Sequence, residues 1–124
     1  MSQPLENEIM RILLEAGEEN LPTVMNTLRE GHTDAPPETL LAEAEASLQA
    51  LERQGYIELC WYREGWVPLT TEERRKILPL VKSLVWNSAT GHWQWNEAEL
   101  GRERPLAVLT DAGQRYIRGV LRQG

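Results

Sequence analysis

Apolar residues recur at helical spacing in three segments at the start of the chain, residues 4–17, 21–31 and 34–55. Each segment has a proline near its start, which suits an opening helical turn, and a glycine at its end, which suits a left-handed closing residue. Pro4 is expected in the first turn of the first helix, and Asp34 is expected to cap the third. The pattern therefore predicts three consecutive amphipathic helices. The buried stripe of the third comprises Leu40, Leu41, Ala44, Leu48 and Leu51.

After Gly55 the pattern changes from a helical period to one typical of strands. Residues 56–62 are rich in β-forming side chains, residues 63–65 have turn composition, and residues 66–69 resume the apolar pattern. A strand pair is therefore predicted, and Pro68 places the second strand at the edge of the sheet because proline lacks the N–H that a central strand must donate.

The remaining third of the chain predicts two more helices and another strand. Thr70 followed by Glu73 is typical of a capping box, and apolar positions continue at helical spacing to Val85, with a kink or split expected at Pro79. Residues 105–109 predict a strand, and Thr110 is expected to cap the last helix.

Two short motifs carry a resemblance to a known superfamily. Residues 48–57, Leu-Gln-Ala-Leu-Glu-Arg-Gln-Gly-Tyr-Ile, resemble the end of a recognition helix turning into a wing, and residues 109–113, Leu-Thr-Asp-Ala-Gly, resemble the exit from that wing. Together with the order of elements, these motifs make the chain similar to the winged-helix proteins, especially the MarR-like bacterial regulators.

The fold class predicted from the pattern and the resemblance is α+β, mainly α. Three N-terminal helices are followed by a β-wing that carries a helical, Trp-rich insertion at about residues 70–104, and then by a C-terminal helix. Residues 1–124 form a single domain on this interpretation, because no linker composition divides a chain of ordinary domain size.

Charge is distributed unevenly along the chain. The net charge is -6, but residues 1–60 hold twelve acids and three bases, whereas residues 61–124 hold seven acids and ten bases. The exposed row of the third helix, Glu38, Ala42, Glu45, Gln49 and Glu52, is acidic and would face phosphates in a major groove. A polyanion is therefore expected to approach only the second half.

The first functional hypothesis is a DNA-binding transcriptional regulator, as the resemblance implies. It would contact DNA mainly through the basic extended wing and would act as a homodimer, because related regulators bind paired half-sites. The candidate phosphate contacts are Arg63, Arg74, Arg75, Lys76, Arg102 and Arg104. A solvated basic face explains the same residues without any ligand.

The alternative is a winged-helix protein–protein interaction module that does not bind DNA. It would use the acidic third helix or the Trp-rich insertion, because all five tryptophans lie in the second half and indole rings are common anchors of interfaces. Trp66, Trp93 and Trp95 are the candidate partner contacts, although the same side chains could build a small core of the insertion instead. A small ligand bound by the tryptophans is a third hypothesis, compatible with either.

No motif indicates catalysis, a cofactor or a metal. His32 and His92 lack metal-ligand spacing, Cys60 is the only cysteine, and no phosphate-binding glycine loop or nucleophile elbow is present. The absence of these motifs predicts that the protein is not an enzyme. The acidic start and the absence of a long apolar run predict a cytoplasmic protein with no membrane partner.

Overall fold

The structure is a computed structural model that describes residues 5–123, so that Pro4 lies outside the described residues. It is an α+β fold, mainly helical, as predicted from the sequence. The helices are α1 (Glu6–Ala16), α2 (Leu21–Gly31), α3 (Pro37–Arg53), α4 (Thr71–Ile77), α5 (Leu80–Ser83) and α6 (Asp111–Gln123). The strands are β1 (Glu18–Asn20), β2 (Ile57–Tyr62), β3 (Trp66–Pro68), β4 (Leu84–Asn87), β5 (His92–Trp95) and β6 (Leu106–Leu109).

The three predicted N-terminal helices are confirmed, and their apolar stripes form the core. The N-terminus of α2 is capped by Asn20, whose side-chain oxygen accepts a hydrogen bond from the Thr23 N–H at 2.9 Å. The prediction that Asp34 caps α3 is wrong. Pro36 occupies the cap position in an extended conformation without a side-chain bond, and Pro37 begins the helix. Because Pro37 has no N–H, one of the donors that a cap would satisfy is already missing.

A four-stranded antiparallel sheet has the order β1-β6-β2-β3. The predicted strands on both sides of the turn pair with each other, and β3 with Pro68 is an edge strand, as expected. Strand β1 has the polar sequence Glu-Glu-Asn, in which apolar and polar residues do not alternate. It forms because these residues pair with the edge of β6.

The two motifs that carry the resemblance lie against each other in space. The N–H of Thr110 donates to the Tyr56 carbonyl at 3.0 Å, and its hydroxyl donates to the Gly55 carbonyl at 2.6 Å. That hydroxyl also accepts from the Gly113 N–H at 3.0 Å, which confirms Thr110 as the cap of α6. The junction between α3 and β2 is therefore locked to the junction between β6 and α6.

The inserted segment contains two short helices and a hairpin. The capping box of Thr70 and Glu73 is present, and the helix is split at Pro79 as predicted. The expectation that the helix continues through Leu84 and Val85 is wrong, because these residues form β4, which pairs with β5. The hairpin is favoured over a longer helix because it packs the Trp86 and Trp93 rings edge to face, with centroids 5.3 Å apart.

The hairpin docks on the N-terminal helices through Asn26 of α2. The Asn26 side chain accepts from the Trp93 N–H at 2.6 Å and donates to the Trp93 carbonyl at 3.1 Å. Leu80, Leu84 and Trp93 join the same core as α1, α2 and α3. The insertion is therefore packed against the helices and continues their core.

Candidate interaction site

Two residues of the acidic row of α3, Glu45 and Glu52, are held by the inserted segment. The guanidinium of Arg74 in α4 forms a forked contact with the Glu52 carboxylate, with Nε to Oε2 at 2.9 Å and Nη2 to Oε1 at 2.7 Å. About two turns earlier on α3, the Glu45 carboxylate accepts the N–H of Leu80, the first residue of α5. These two carboxylates clamp α4 and α5 across one face of α3.

The clamp has a clear electrostatic origin. Each carboxylate receives hydrogen bonds from a charged or backbone donor, and such charge-assisted bonds are stronger than neutral ones. The hydrogen bonds that the Arg74 guanidinium donates to Glu52 raise the pKa of Arg74 above its ordinary value. The Glu52 side chain is only 16% exposed, so this contact is shielded more than a free surface pair.

Three of the six predicted DNA contacts are paired with carboxylates. Arg74 binds Glu52, and Arg63 at the turn between β2 and β3 donates to Glu103 at 2.6 and 2.8 Å. Arg104 contacts Glu97. A phosphate would have to displace a carboxylate at each of these positions.

The other three predicted DNA contacts are Arg75, Lys76 and Arg102. All three are exposed, and within residues 5–123 none of them forms an ion pair. Lys76 and Arg102 line one pocket, whereas Arg75 does not. Only three of the six predicted basic contacts are therefore available to bind an anion.

The pocket lies between α4, Trp61 of β2 and residues 99–103, and its volume is about 380 Å³. Its lining mixes both signs of charge, because Glu73, Glu99 and Glu103 accompany Lys76 and Arg102. The pKa of Glu73 is lowered, chiefly because its carboxylate accepts the Thr70 N–H of the capping box. Such a lining does not select one kind of ligand by its charge.

The three candidate partner tryptophans have different environments. Trp93 is 5% exposed and belongs to the core, so it is not available as a surface contact. Trp95 is half-buried, with the Arg104 guanidinium 5.8 Å from its ring centroid. Trp66 alone is well exposed, at 42%, and it meets Tyr62 edge to face with centroids 5.2 Å apart.

Trp66 and Tyr62 belong to one face of the four-stranded sheet, which we call the outer face. Directly paired residues share a face, and residues two apart along a strand return to it. The register therefore groups the following residues on the outer face, row by row: Glu18, Val108 and Glu58; Asn20, Leu106, Cys60 and Pro68; Tyr62 and Trp66. The opposite face carries the buried Ile57, Leu59, Ala107 and Leu109.

The outer face keeps contact with solvent. Tyr62 is 66% exposed, Glu18, Glu58 and Pro68 are exposed, and Leu106 and Val108 are half-buried. Only the small Cys60 at its centre is fully buried. The sequence reasoning identified Trp66 but missed the rest, because the pairing of β6 with β2 and of β1 with β6 joins residues that are far apart in the sequence.

Cys60 is not a candidate nucleophile. Burial and the nearby carboxylate of Glu58 raise the pKa of its thiol to about 11, so the unreactive protonated form dominates at neutral pH. Among residues 5–123, no group of three or more metal-ligating side chains comes together. In the same part of the chain, no helix has the length and apolar composition needed to cross a bilayer.

Comparison of the chain with protein-family models, with curated proteins and with solved structures finds no match.

Proposed function

We propose that this chain is a winged-helix protein-interaction module that does not read DNA with its third helix. The winged-helix part of the proposal is supported by the order of three helices, a strand pair, a further strand and a closing helix. It is supported further by the contact between the two junction motifs through Thr110.

The observation that carries the proposal is the clamp on α3. A recognition helix must present one free face to the base edges of the major groove. In this chain the corresponding face has Glu45 bound to the N–H of Leu80 and Glu52 bound to Arg74. DNA binding through α3 would require both contacts to break and would then place two carboxylates among phosphates, which repel them.

The cations of the wing do not offset this arrangement. Binding of duplex DNA draws most of its affinity from basic side chains that neutralise phosphates. Three of the predicted contacts are already neutralised by Glu52, Glu97 and Glu103. An exposed aromatic pair, Tyr62 and Trp66, is instead the kind of surface that protein partners bury.

A DNA-binding regulator is the second candidate, and one observation favours it. Arg75, Lys76 and Arg102 are exposed and without ion pairs within residues 5–123, so they could contact a phosphate backbone without help from α3. That mode would give affinity that depends strongly on salt and little on sequence.

A fluorescence-anisotropy titration with random duplex DNA at low salt separates the two candidates. The interaction module predicts no saturable binding by the wild-type chain. Binding that weakens steeply with salt and is lost in an Arg75→Glu/Lys76→Glu/Arg102→Glu variant would contradict it. A variant with Glu72→Gln, an exposed change on α4 outside the basic set, serves as the matched control.

A further inference from the structure

We propose that the outer face of the sheet binds a basic, extended segment of a partner protein whose apolar residues alternate with polar ones. This inference rests on the proposed function and specifies its partner. The segment would place a Lys or Arg near Glu18 and Glu58 and an apolar side chain on Tyr62 and Trp66.

The negative charge of the outer face determines which charge its partner must carry. The outer face carries two carboxylates, Glu18 and Glu58, and no Lys, Arg or His. Glu18 and Glu58 flank Val108 in one row of the outer face, and both are exposed. Arg63, directly after β2, lies over Trp61 of the opposite face, with its guanidinium 5.2 Å from the ring centroid, and is neutralised by Glu103. A cationic segment is therefore attracted, whereas nucleic acid and anionic lipid are repelled.

The dimensions of the face fit an extended chain. Glu58 and Tyr62 are four residues apart on β2, which places their rows about 13 Å apart, and four strands span about 14 Å. An extended peptide of about five residues covers that distance, and every second side chain would point at the sheet.

The β3 edge of the sheet is a poorer place for the same segment. Strand β3 has three residues and ends in Pro68, which has no N–H to donate to an added strand. The amide of Leu69, directly after β3, already donates to the Leu59 carbonyl. The open surface is therefore the face, where Leu106, Val108 and Pro68 provide an apolar centre between the carboxylates and the aromatic pair.

A nuclear magnetic resonance titration of the full chain with two synthetic peptides tests this assignment. The first is the acetylated peptide Lys-Ser-Lys-Ser-Leu-Ser-Leu, and the second has Glu in place of both Lys residues. The proposal predicts that the Lys peptide binds weakly, with a Kd on the order of hundreds of micromolar, and shifts the amides of β2, β3 and β6. The Glu peptide is expected not to bind.

Variants then assign the contacts. Glu18→Gln/Glu58→Gln is expected to weaken binding of the Lys peptide about tenfold, or about threefold for each exposed carboxylate, and Trp66→Ala about tenfold or more. Glu72→Gln and Val81→Ala are the matched controls, because both side chains are exposed but lie on α4 and α5, and they should leave the Kd unchanged.

Equal binding of both peptides, or shifts confined to α4 and α5, would overturn the sheet-face assignment while leaving the interaction function in place. Failure of the Lys peptide to bind at millimolar concentration would also overturn the assignment. Salt-sensitive binding of random duplex DNA by the wild-type chain would instead overturn the proposed function, whatever the peptides do.

Discussion

Replacement of Gly113 by alanine should destabilise the chain strongly, although the same change usually stabilises a helix. Gly113 lies in the first turn of α6, and a Cβ at this position would be 2.0 Å from the Tyr56 carbonyl oxygen. Real Cβ contacts essentially never fall below 3.0 Å, so that α6 or the start of β2 must move by about 1 Å. The obstacle is backbone, which cannot rotate away as a side chain can.

The expected cost follows from the contacts at this junction. Overpacking typically costs about 1–3 kcal/mol, and a shift would also weaken the two hydrogen bonds from Thr110, at about 1 kcal/mol each. The higher helix preference of alanine over glycine offsets about 1 kcal/mol of this destabilisation. The net destabilisation of Gly113→Ala is therefore about 2–4 kcal/mol, or about 10 °C in Tm for a domain of this size.

Gly119→Ala is the matched control in the same helix. No atom lies within 4 Å of a Cβ at Gly119, so the change should stabilise the chain by about 0.5–1 kcal/mol through helix preference alone. Urea denaturation followed by far-ultraviolet circular dichroism measures both free energies of unfolding. Equal stabilities of the two variants would refute the close packing of α6 against Tyr56.

Three further predictions concern single contacts of the inserted segment and the sheet. Asn26→Ala should lower the free energy of unfolding by about 2 kcal/mol, because it removes both hydrogen bonds to the Trp93 backbone and leaves these buried groups unpaired. Arg74→Ala should cost about 1 kcal/mol in the same assay, because it removes the forked contact and leaves Glu52 half-buried without its partner. The Cys60 thiol should resist iodoacetamide at pH 8 in the native chain and react promptly in urea, because its native pKa is about 11.

Each of these predictions has a control and a contradicting outcome. Thr27→Ala is the control for Asn26→Ala, and Arg75→Ala is the control for Arg74→Ala, because each changes the exposed residue next to the tested one. Both controls should change the free energy of unfolding by less than about 0.5 kcal/mol. An Asn26 or Arg74 variant as stable as its neighbour would show that the contact is not formed in solution.

The thiol prediction also fixes a pH dependence. Because the pKa of Cys60 is higher in the folded chain than in the unfolded one, the unfolded state loses this proton first. The contribution of Cys60 to stability is therefore complete below about pH 9 and declines as the pH rises toward 11. Rapid alkylation of the native thiol at pH 8, at the rate seen in urea, would contradict the assignment.

The sequence pattern was sufficient where a local signal exists. Helical periodicity predicted α1, α2 and α3, and the chemistry of Thr70, Pro79 and Thr110 predicted a capping box, a helix break and a cap. These features depend on residues within a few positions of one another, so one sequence contains the information.

The pattern was insufficient where distant residues decide the structure. Leu84 and Val85 fit a helix equally well until the packing of Trp86 on Trp93 favours a hairpin. Strand β1 is polar and depends on the edge of β6. The outer face depends on the pairing of β1, β6 and β2, so its carboxylates were not recognised as lying on the same face as the aromatic pair.

The availability of the candidate DNA contacts also depends on residues that are distant in the sequence. The arginines were counted by their position in the sequence, but the partner of each is far away along the chain, as with Arg74 and Glu52 or Arg63 and Glu103. A sequence shows that a basic side chain is present, whereas the structure shows whether its charge is available.

The availability of the α3 face can be measured directly by adding random duplex DNA to the isotope-labelled chain at low salt and recording amide spectra. The proposed function predicts that the amides of Glu45, Gln49 and Glu52 do not shift at any DNA concentration, because α4 and α5 remain bound to the Glu45 and Glu52 carboxylates on this face. Saturable shifts of these amides that disappear as salt is added would contradict the account, because they would place DNA on the face that the clamp occupies.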